Sequence, residues 1–194
     1  MTQQPSYDTD ALDTATALVS VPTEYTLVDA HRVTRDECPV WRFRHERKDG
    51  SNAGLGGEHI SFVVDAETTR LLGVTRMESR LAAGDLPGRE TARTVAETFL
   101  ADAAPDLHDA VDVLWIEPHD ETITADGRDV VVTGIKVKCR DQSGTYAWVI
   151  VGPETEVITF ERDVIWNDDM SRRETEQWLH DDWLAEQTDR TELE

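Results

Sequence analysis

Four basic side chains stand out in a chain almost without lysine. Arg42 and Arg44 alternate along one segment, Lys136 and Lys138 along another, and Lys48 is the only further lysine. Alternate residues of a strand share a face. Each doublet therefore presents two cations side by side, able to hold a carboxylate or a phosphate. The competing reading is pairing with acidic neighbours across an exposed sheet face. These four residues are the candidate binding site.

The histidines offer less. Glu58-His59, His119-Asp120 and His180-Asp181-Asp182 place carboxylates beside imidazoles, the raw material of a metal site or an acid–base pair. Yet His31, His45, His59, His108, His119 and His180 show neither His-x-x-x-His nor His-x-His spacing. His45 falls in the apolar register of its strand, where a core role is expected. No metal and no cofactor is assigned. Nucleophilic chemistry has no better footing, because there is no Gly-x-Ser-x-Gly elbow and neither cysteine has a local catalytic signature. Two cysteines make no disulfide framework; Cys139 reads as a small buried hydrophobe and Cys38 as a bystander thiol. The segment Gly50–Gly57 lacks the Lys-Ser/Thr of a phosphate loop and reads as a mobile connection. No catalytic residue is assigned.

The elements that carry these residues come in two copies. Ile60-Ser61-Phe62-Val63-Val64-Asp65-Ala66-Glu67-Thr68-Thr69-Arg70-Leu71-Leu72-Gly73-Val74-Thr75-Arg76 is echoed by Ala147-Trp148-Val149-Ile150-Val151-Gly152-Pro153-Glu154-Thr155-Glu156-Val157-Ile158-Thr159-Phe160-Glu161-Arg162. Each is a strand, a turn and a second strand ending in Arg, and such repetition has to be recognised before any fold is assigned. Upstream, Ala11, Ala15, Leu18 and Val19 fall at helical spacing, as do Ala92, Val95, Ala96, Phe99 and Leu100. Strands are expected at Tyr25–Val33 and Val111–Glu117. Trp41-Arg42-Phe43-Arg44-His45 then aligns with Ile135-Lys136-Val137-Lys138-Cys139. One face of each unit should lie on its helix while the face with the basic doublet meets solvent. Asp126-Gly127 marks the turn of a longer first hairpin in the second copy.

The order helix, strand, strand, hairpin, with Val-Asp-Ala-Glu-Thr followed by Leu-Leu-Gly, resembles the PepSY-like domains. Asp65, Ala66, Thr68, Leu71, Leu72 and Gly73 match the family's last hairpin, Asp-Ala-x-Thr-Gly then Leu-x-Gly. Thr69 stands where the family has Gly. In the second copy Gly152-Pro153 replaces Asp-Ala, and Glu156 falls at the Gly. The resemblance implies a helix on an antiparallel sheet, similar to cystatin-like folds. It also implies a link to the inhibition or regulation of peptidases, without catalytic residues. The expected fold is α+β: repeats at 8–80 and 88–165, and a C-terminal amphipathic helix over 168–187.

Composition narrows the function classes. The chain has 194 residues and a formal net charge of −21, which argues against a nucleic-acid binder because phosphate contacts need a basic surface. Abundant carboxylates with few lysines suit a halophilic surface, since the Debye length shrinks to about 3 Å at 1 M salt. Met1–Pro5 has neither the basic nor the apolar stretch of a signal peptide, and no run reaches the roughly 18 apolar residues of a spanning helix. A cytoplasmic location away from membranes is the expectation.

At the tail, Ser171 and Glu174 have capping-box spacing, and Thr175, Trp178, Leu179 and Trp183 form a stripe. Trp178, Leu179 and Trp183 must cover something, either the protein's own sheet or a homodimer or partner contact. The last residues, from Thr188 to Glu194, are expected to fray. The leading functional reading is a non-enzymatic binding or regulatory module for a peptide or partner protein. Two alternatives stay open: a small-molecule-binding enzyme of ketosteroid-isomerase type, which needs a roomy pocket lined by His45 or Cys139, and a structural dimerising subunit.

Overall fold

A computed structural model describes residues 7–192, and the side chains of residues 7–188. Helix α1 (Thr9–Leu18) begins where the Asp8 carboxylate accepts the Asp10 and Ala11 amides at 2.9 and 3.2 Å, a side-chain N-cap. Strands β1 (Tyr25–Arg35), β2 (Cys38–Arg47), β3 (His59–Asp65) and β4 (Leu71–Met77) follow. The second copy supplies α2 (Arg89–Ala103), a single turn α3 (Pro105–His108), and β5 (Val111–Ala125), β6 (Arg128–Asp141), β7 (Tyr146–Val151) and β8 (Val157–Val164). Helix α4 spans Asp181–Glu192. Among the described residues, no helix is long and apolar enough to cross a membrane.

All eight strands form one antiparallel sheet in the order β1-β2-β3-β4-β8-β7-β6-β5. The last strands of the two copies meet at its centre through Gly73–Glu161, Val74–Phe160 and Thr75–Thr159, with the two threonine hydroxyls 2.9 Å apart. The copies are therefore related by a pseudo-twofold axis at Val74 and Phe160. Register proves the equivalence: Leu27 opposes His45 where Val113 opposes Cys139, and Asp29 opposes Arg44 where Trp115 opposes Lys138.

The inner face carries one unbroken apolar row across every strand: Ala30, Phe43, Phe62, Val74, Phe160, Val149, Val137 and Ile116. Helices α1 and α2 lie on this face, with Ala11, Ala15, Ala92, Ala96 and Leu100 buried against it. Small side chains at the contact let the helices approach closely, and the burial supplies the main drive for their docking.

Turn chemistry repeats as well. Asp36-Glu37 and Asp126-Gly127 all have positive φ (48°, 65°, 51° and 70°), the geometry of two-residue hairpin turns that match strand twist. Each edge strand carries a register shift at the same place, leaving Val28 and Leu114 outside the ladder. Such bulges blunt an open edge. In the β3–β4 turn Thr69 has φ 57°, and in the β7–β8 turn Glu154 and Thr155 have φ 55° and 63°. The position that the family fills with Gly is thus occupied in the second copy by the left-handed Glu154-Thr155 pair and not by Glu156, whose φ is −72°.

Three expectations are corrected. The face with the basic doublets is partly covered and does not stand open to solvent throughout, because Val40, Val63 and Leu72 form an apolar cluster there with Leu179. The tip of the β5–β6 hairpin folds over the same side of the second copy, burying Ile123 and Val132 with Trp148, Ile150 and Ile158. Accordingly β5 runs to Ala125, well past Glu117. Second, the C-terminal helix does not span 168–187: residues 165–180 form a strap over the outer face, and the helix starts at Asp181. Ser171 caps nothing; its hydroxyl and amide turn to the Asp169 carboxylate instead. Third, the 50–57 loop is pinned by hydrogen bonds from Arg44 to the Gly54 carbonyl (2.8 Å) and from the Gly56 amide to Asp181 (2.7 Å). A side chain on Gly57 would collide with the Asn52 carbonyl at 2.0 Å. The tail expected to fray from Thr188 is helical through Glu192; its last two residues, like Met1–Pro5, lie outside the described residues.

Candidate functional site

Two rows of polar side chains cross the outer face on either side of the apolar inner row. One reads His31, Arg42, Val63, Gly73, Glu161, Trp148, Lys138, Trp115, and the other Asp29, Arg44, Ser61, Thr75, Thr159, Ile150, Lys136, Glu117. All four predicted binding residues lie on this face, in two pairs set symmetrically about the axis.

In the first copy the cations are matched by carboxylates. Arg42 bonds Asp29. Arg44 is buried; it grips Asp181 through two nitrogens at 2.7 and 3.1 Å and Glu46 at 2.7 Å. Burial alone would lower the Arg44 pKa, but the bonds to Asp181 and Glu46 raise it overall. Asp181 shows the mirror effect: burial pushes it up, and His59 and Arg44 hold it below the ordinary carboxylate value. His59 is fully enclosed, and its Nδ1–H donates to the Gly57 carbonyl at 3.0 Å. Burial outweighs the pull of Asp181 and lowers it from the ordinary imidazole value.

The centre of the face belongs to Glu161. Arg173 donates to both its oxygens (2.7 and 3.1 Å) and His180 Nε2–H to one (2.9 Å). Burial would raise Glu161, yet the charges of His180 and Arg173 hold it far below the usual carboxylate range. Glu161 in turn raises His180 against its burial and the opposing charge of Arg173. Around this anchor the strap is stitched to the first copy. Trp178 donates its indole N–H to the Thr34 carbonyl at 2.8 Å, Glu176 accepts the Asp36 amide at 2.8 Å, and Thr175 bonds Asp36 at 3.0 Å. Leu179 sits over Gly73, where an added Cβ would come within 2.7 Å of its methyl. Glycine at this point lets the strap touch the sheet.

In the second copy the cations meet rings. Lys136 lies 4.1 Å from the Trp148 centroid, and Lys138 lies 5.5, 4.8 and 5.4 Å from Trp115, Tyr146 and Trp166. Among the described residues no carboxylate is ion-paired with either lysine. Burial lowers both, Lys136 to about 8 despite Glu161 and Glu121 nearby.

The other candidates separate cleanly. Trp178 and Trp183 pack edge to face at 4.8 Å and, with Leu179, are engaged by the chain's own sheet and each other. His45 is a core residue, edge-on to Phe62 at 5.8 Å and lowered by burial. Pairings that the local histidine motifs did not foresee are His180 with Glu161 and His59 with Asp181, since both partners are distant in sequence. Among the described residues no group of three or more His, Cys, Asp or Glu could hold a metal ion. Three of the surface depressions border these residues or α2. A polar cleft of about 70 Å³ lies between His59, Glu121, His180 and Asp181. A groove of about 540 Å³ runs between α4 and Val33, Arg42 and Leu55. A third, of about 340 Å³, is lined by Ala96, Leu100, Val137 and Cys139 beside α2.

Comparison with known proteins follows this geometry. The model of the YcdB, YcdC repeated domain matches residues 8–128, from the cap of α1 to the turn of the first hairpin of the second copy. Among solved structures, the Bacillus megaterium YpeB C-terminal domain is similar with a TM-score of 0.53 and 11% sequence identity over 81% of this chain. The chain spans 63% of the length of that structure. No curated protein matches the chain significantly. The matches bear out the PepSY-like resemblance and the α+β tandem fold.

Proposed function

The chain belongs to the family of the YcdB, YcdC repeated domain, and from that premise we propose that it is a non-catalytic regulatory module that binds a peptide or a partner protein on the outer sheet face. One observation carries the reading: the protein already holds a segment of its own chain there. The irregular strap lies on the sheet with the Thr34 carbonyl taken by the Trp178 indole and an apolar anchor at Leu179, and the Asp181 carboxylate at the start of α4 is clamped by Arg44. A surface that binds a peptide offers the same three contacts: a backbone polar group, an apolar pocket and a charged partner. The buried charges under the strap, Arg44 with Asp181 and Glu161 with Arg173, are neutralised in pairs, which suits holding a strap in place and not proton transfer. A regulatory role toward peptidases belongs to this reading through the PepSY resemblance.

The test is selection of a random displayed-peptide library on the full-length chain, followed by amide-shift mapping of the winners. Winners that map to the outer face or to the β1 and β5 edges support the proposal. A library that yields no specific binder defeats it.

The groove beside α2 favours a second reading, a small apolar ligand held against Cys139. Burial pushes that thiol up to about 11, so it acts as wall and not as nucleophile. Ala96→Phe would fill the groove. Loss of binding of a fluorescent apolar probe in that variant would support the second reading, and unchanged binding would remove it.

A further inference from the structure

The pseudo-twofold axis poses a question at Lys138. Its equivalent, Arg44, holds the Asp181 carboxylate at the start of α4 in a two-pronged grip. Around Arg44 stand Glu46 and Asp29; at the matching places around Lys138 stand Arg140 and Trp115. One copy thus has its carboxylates built in, and the other has exchanged them for a cation and a ring. Burial lowers the Lys138 pKa, and among the described residues no carboxylate forms an ion pair with it. The surroundings stay open: Trp115 is 38% and Met170 43% exposed, and Tyr146 joins Lys138 to Met170 through a hydroxyl–sulfur contact. In the second copy the hairpin tip covers the apolar ground that Leu179 takes in the first. What is left free is the carboxylate position and the ring beside it.

We infer that the second copy's outer face binds an acidic peptide segment, its Asp or Glu carboxylate seated over Lys138 within reach of Arg140 and an apolar neighbour resting on Trp115 and Met170. This rests on the binding-module reading and names the chemistry of the partner. Charge complementarity selects the occupant: this is a cationic, aromatic patch on a chain of net charge −21, and the same position in the other copy is filled by an acidic segment. A carboxylate delivered there forms a charge-assisted bond in a partly dry, ring-walled setting. Aromatic walls keep the lysine extended in the absence of ligand, so little ordering is needed on binding.

The probe is a synthetic peptide carrying residues 176–188 of this chain, titrated into the full-length protein at low salt and followed by Trp115-sensitive fluorescence and amide shifts. Shifts are expected at Trp115, Lys138 and Tyr146. Lys138→Gln should weaken binding about tenfold or more, as loss of a charged hydrogen bond implies, and Lys138→Arg should retain it. A peptide with its Asp and Glu replaced by Asn and Gln should fail to bind. The inference is overturned if the neutral peptide binds equally, if Lys138→Gln leaves affinity unchanged, or if the shifts cluster around Trp178 instead. Each of those results leaves the library selection untouched, so the two readings fail separately.

Discussion

The two copies share a register to the residue and solve the same problem in opposite ways. Both place a cationic doublet on the outer face. The first surrounds it with Asp29, Glu46 and Asp181, and the second with Trp115, Trp148, Tyr146 and Trp166. Ion pairing in a dry place makes each partner depend on the other, because removing one leaves a buried charge exposed to no counter-ion. A ring makes a weaker and more forgiving partner. The difference teaches that duplication preserved geometry while the chemistry diverged, one face becoming a closed structural joint and the other staying more open.

The largest expected effect comes from truncating equivalent residues. Arg44→Ala leaves Glu46 and Asp181 without their partner and should cost about 3–5 kcal/mol in urea unfolding. Lys138→Ala removes only cation–ring contacts and should cost about 1 kcal/mol. Equal losses would erase the distinction between the copies.

The other pair of equivalents should differ in sign. Lys136 has its pKa lowered from 10.5 to about 8 in the folded state. Between those values the unfolded chain binds more protons, so stability must rise with pH through this window, and below pH 8 the full penalty is present. Lys136→Met should therefore stabilise the protein at pH 7 by about 1–2 kcal/mol and flatten the rise between pH 8 and 10.5. Arg42→Met, which abandons Asp29, should destabilise by about 1 kcal/mol. Denaturant midpoints measured across pH decide it; destabilisation by both variants would refute the account of Lys136.

A third test concerns the joint itself. Gly73→Ala drives a methyl toward Leu179 and should cost about 1–3 kcal/mol through overpacking, with the strap loosening first. Faster hydrogen exchange at residues 173–181 than in the sheet would show it; uniform exchange would contradict the role assigned to this glycine. The smallest effect is one in which the copies should agree. Thr69→Gly and Thr155→Gly relieve a β-branched residue at positive φ, so each should gain about 0.5–1 kcal/mol. A gain in one and a loss in the other would mean the turns are not equivalent.

Much of this is legible in the sequence. The alignment of Trp41–His45 with Ile135–Cys139 put the four cations in correct register, because a period of two leaves little freedom once the apolar face is fixed. The strap was not readable. Ser171 and Glu174 carry a helix-start pattern, but long-range partners overrule it: Asp36 takes Thr175, and Glu161 takes Arg173 and His180. A signal against a solvent-facing sheet was nevertheless present. Ile60–Val64 and Ala147–Val151 are nearly unbroken apolar runs, the mark of strands covered on both faces, and each of these residues is indeed buried. The turns misled for a similar reason, since Asp36-Glu37 and Glu154-Thr155 adopt left-handed geometry without a glycine to announce it.

The join of β4 to β8 has a consequence of its own. Antiparallel pairing about an axis through Val74 and Phe160 is the geometry of an isologous interface, in which one patch recognises itself. Linking two such halves in one chain makes that encounter intramolecular, so its strength no longer depends on protein concentration. Freed from having to match itself, each half could then change alone. That is why a single position can be an arginine locked to its own tail on one side of the axis and a lysine left to others on the opposite side.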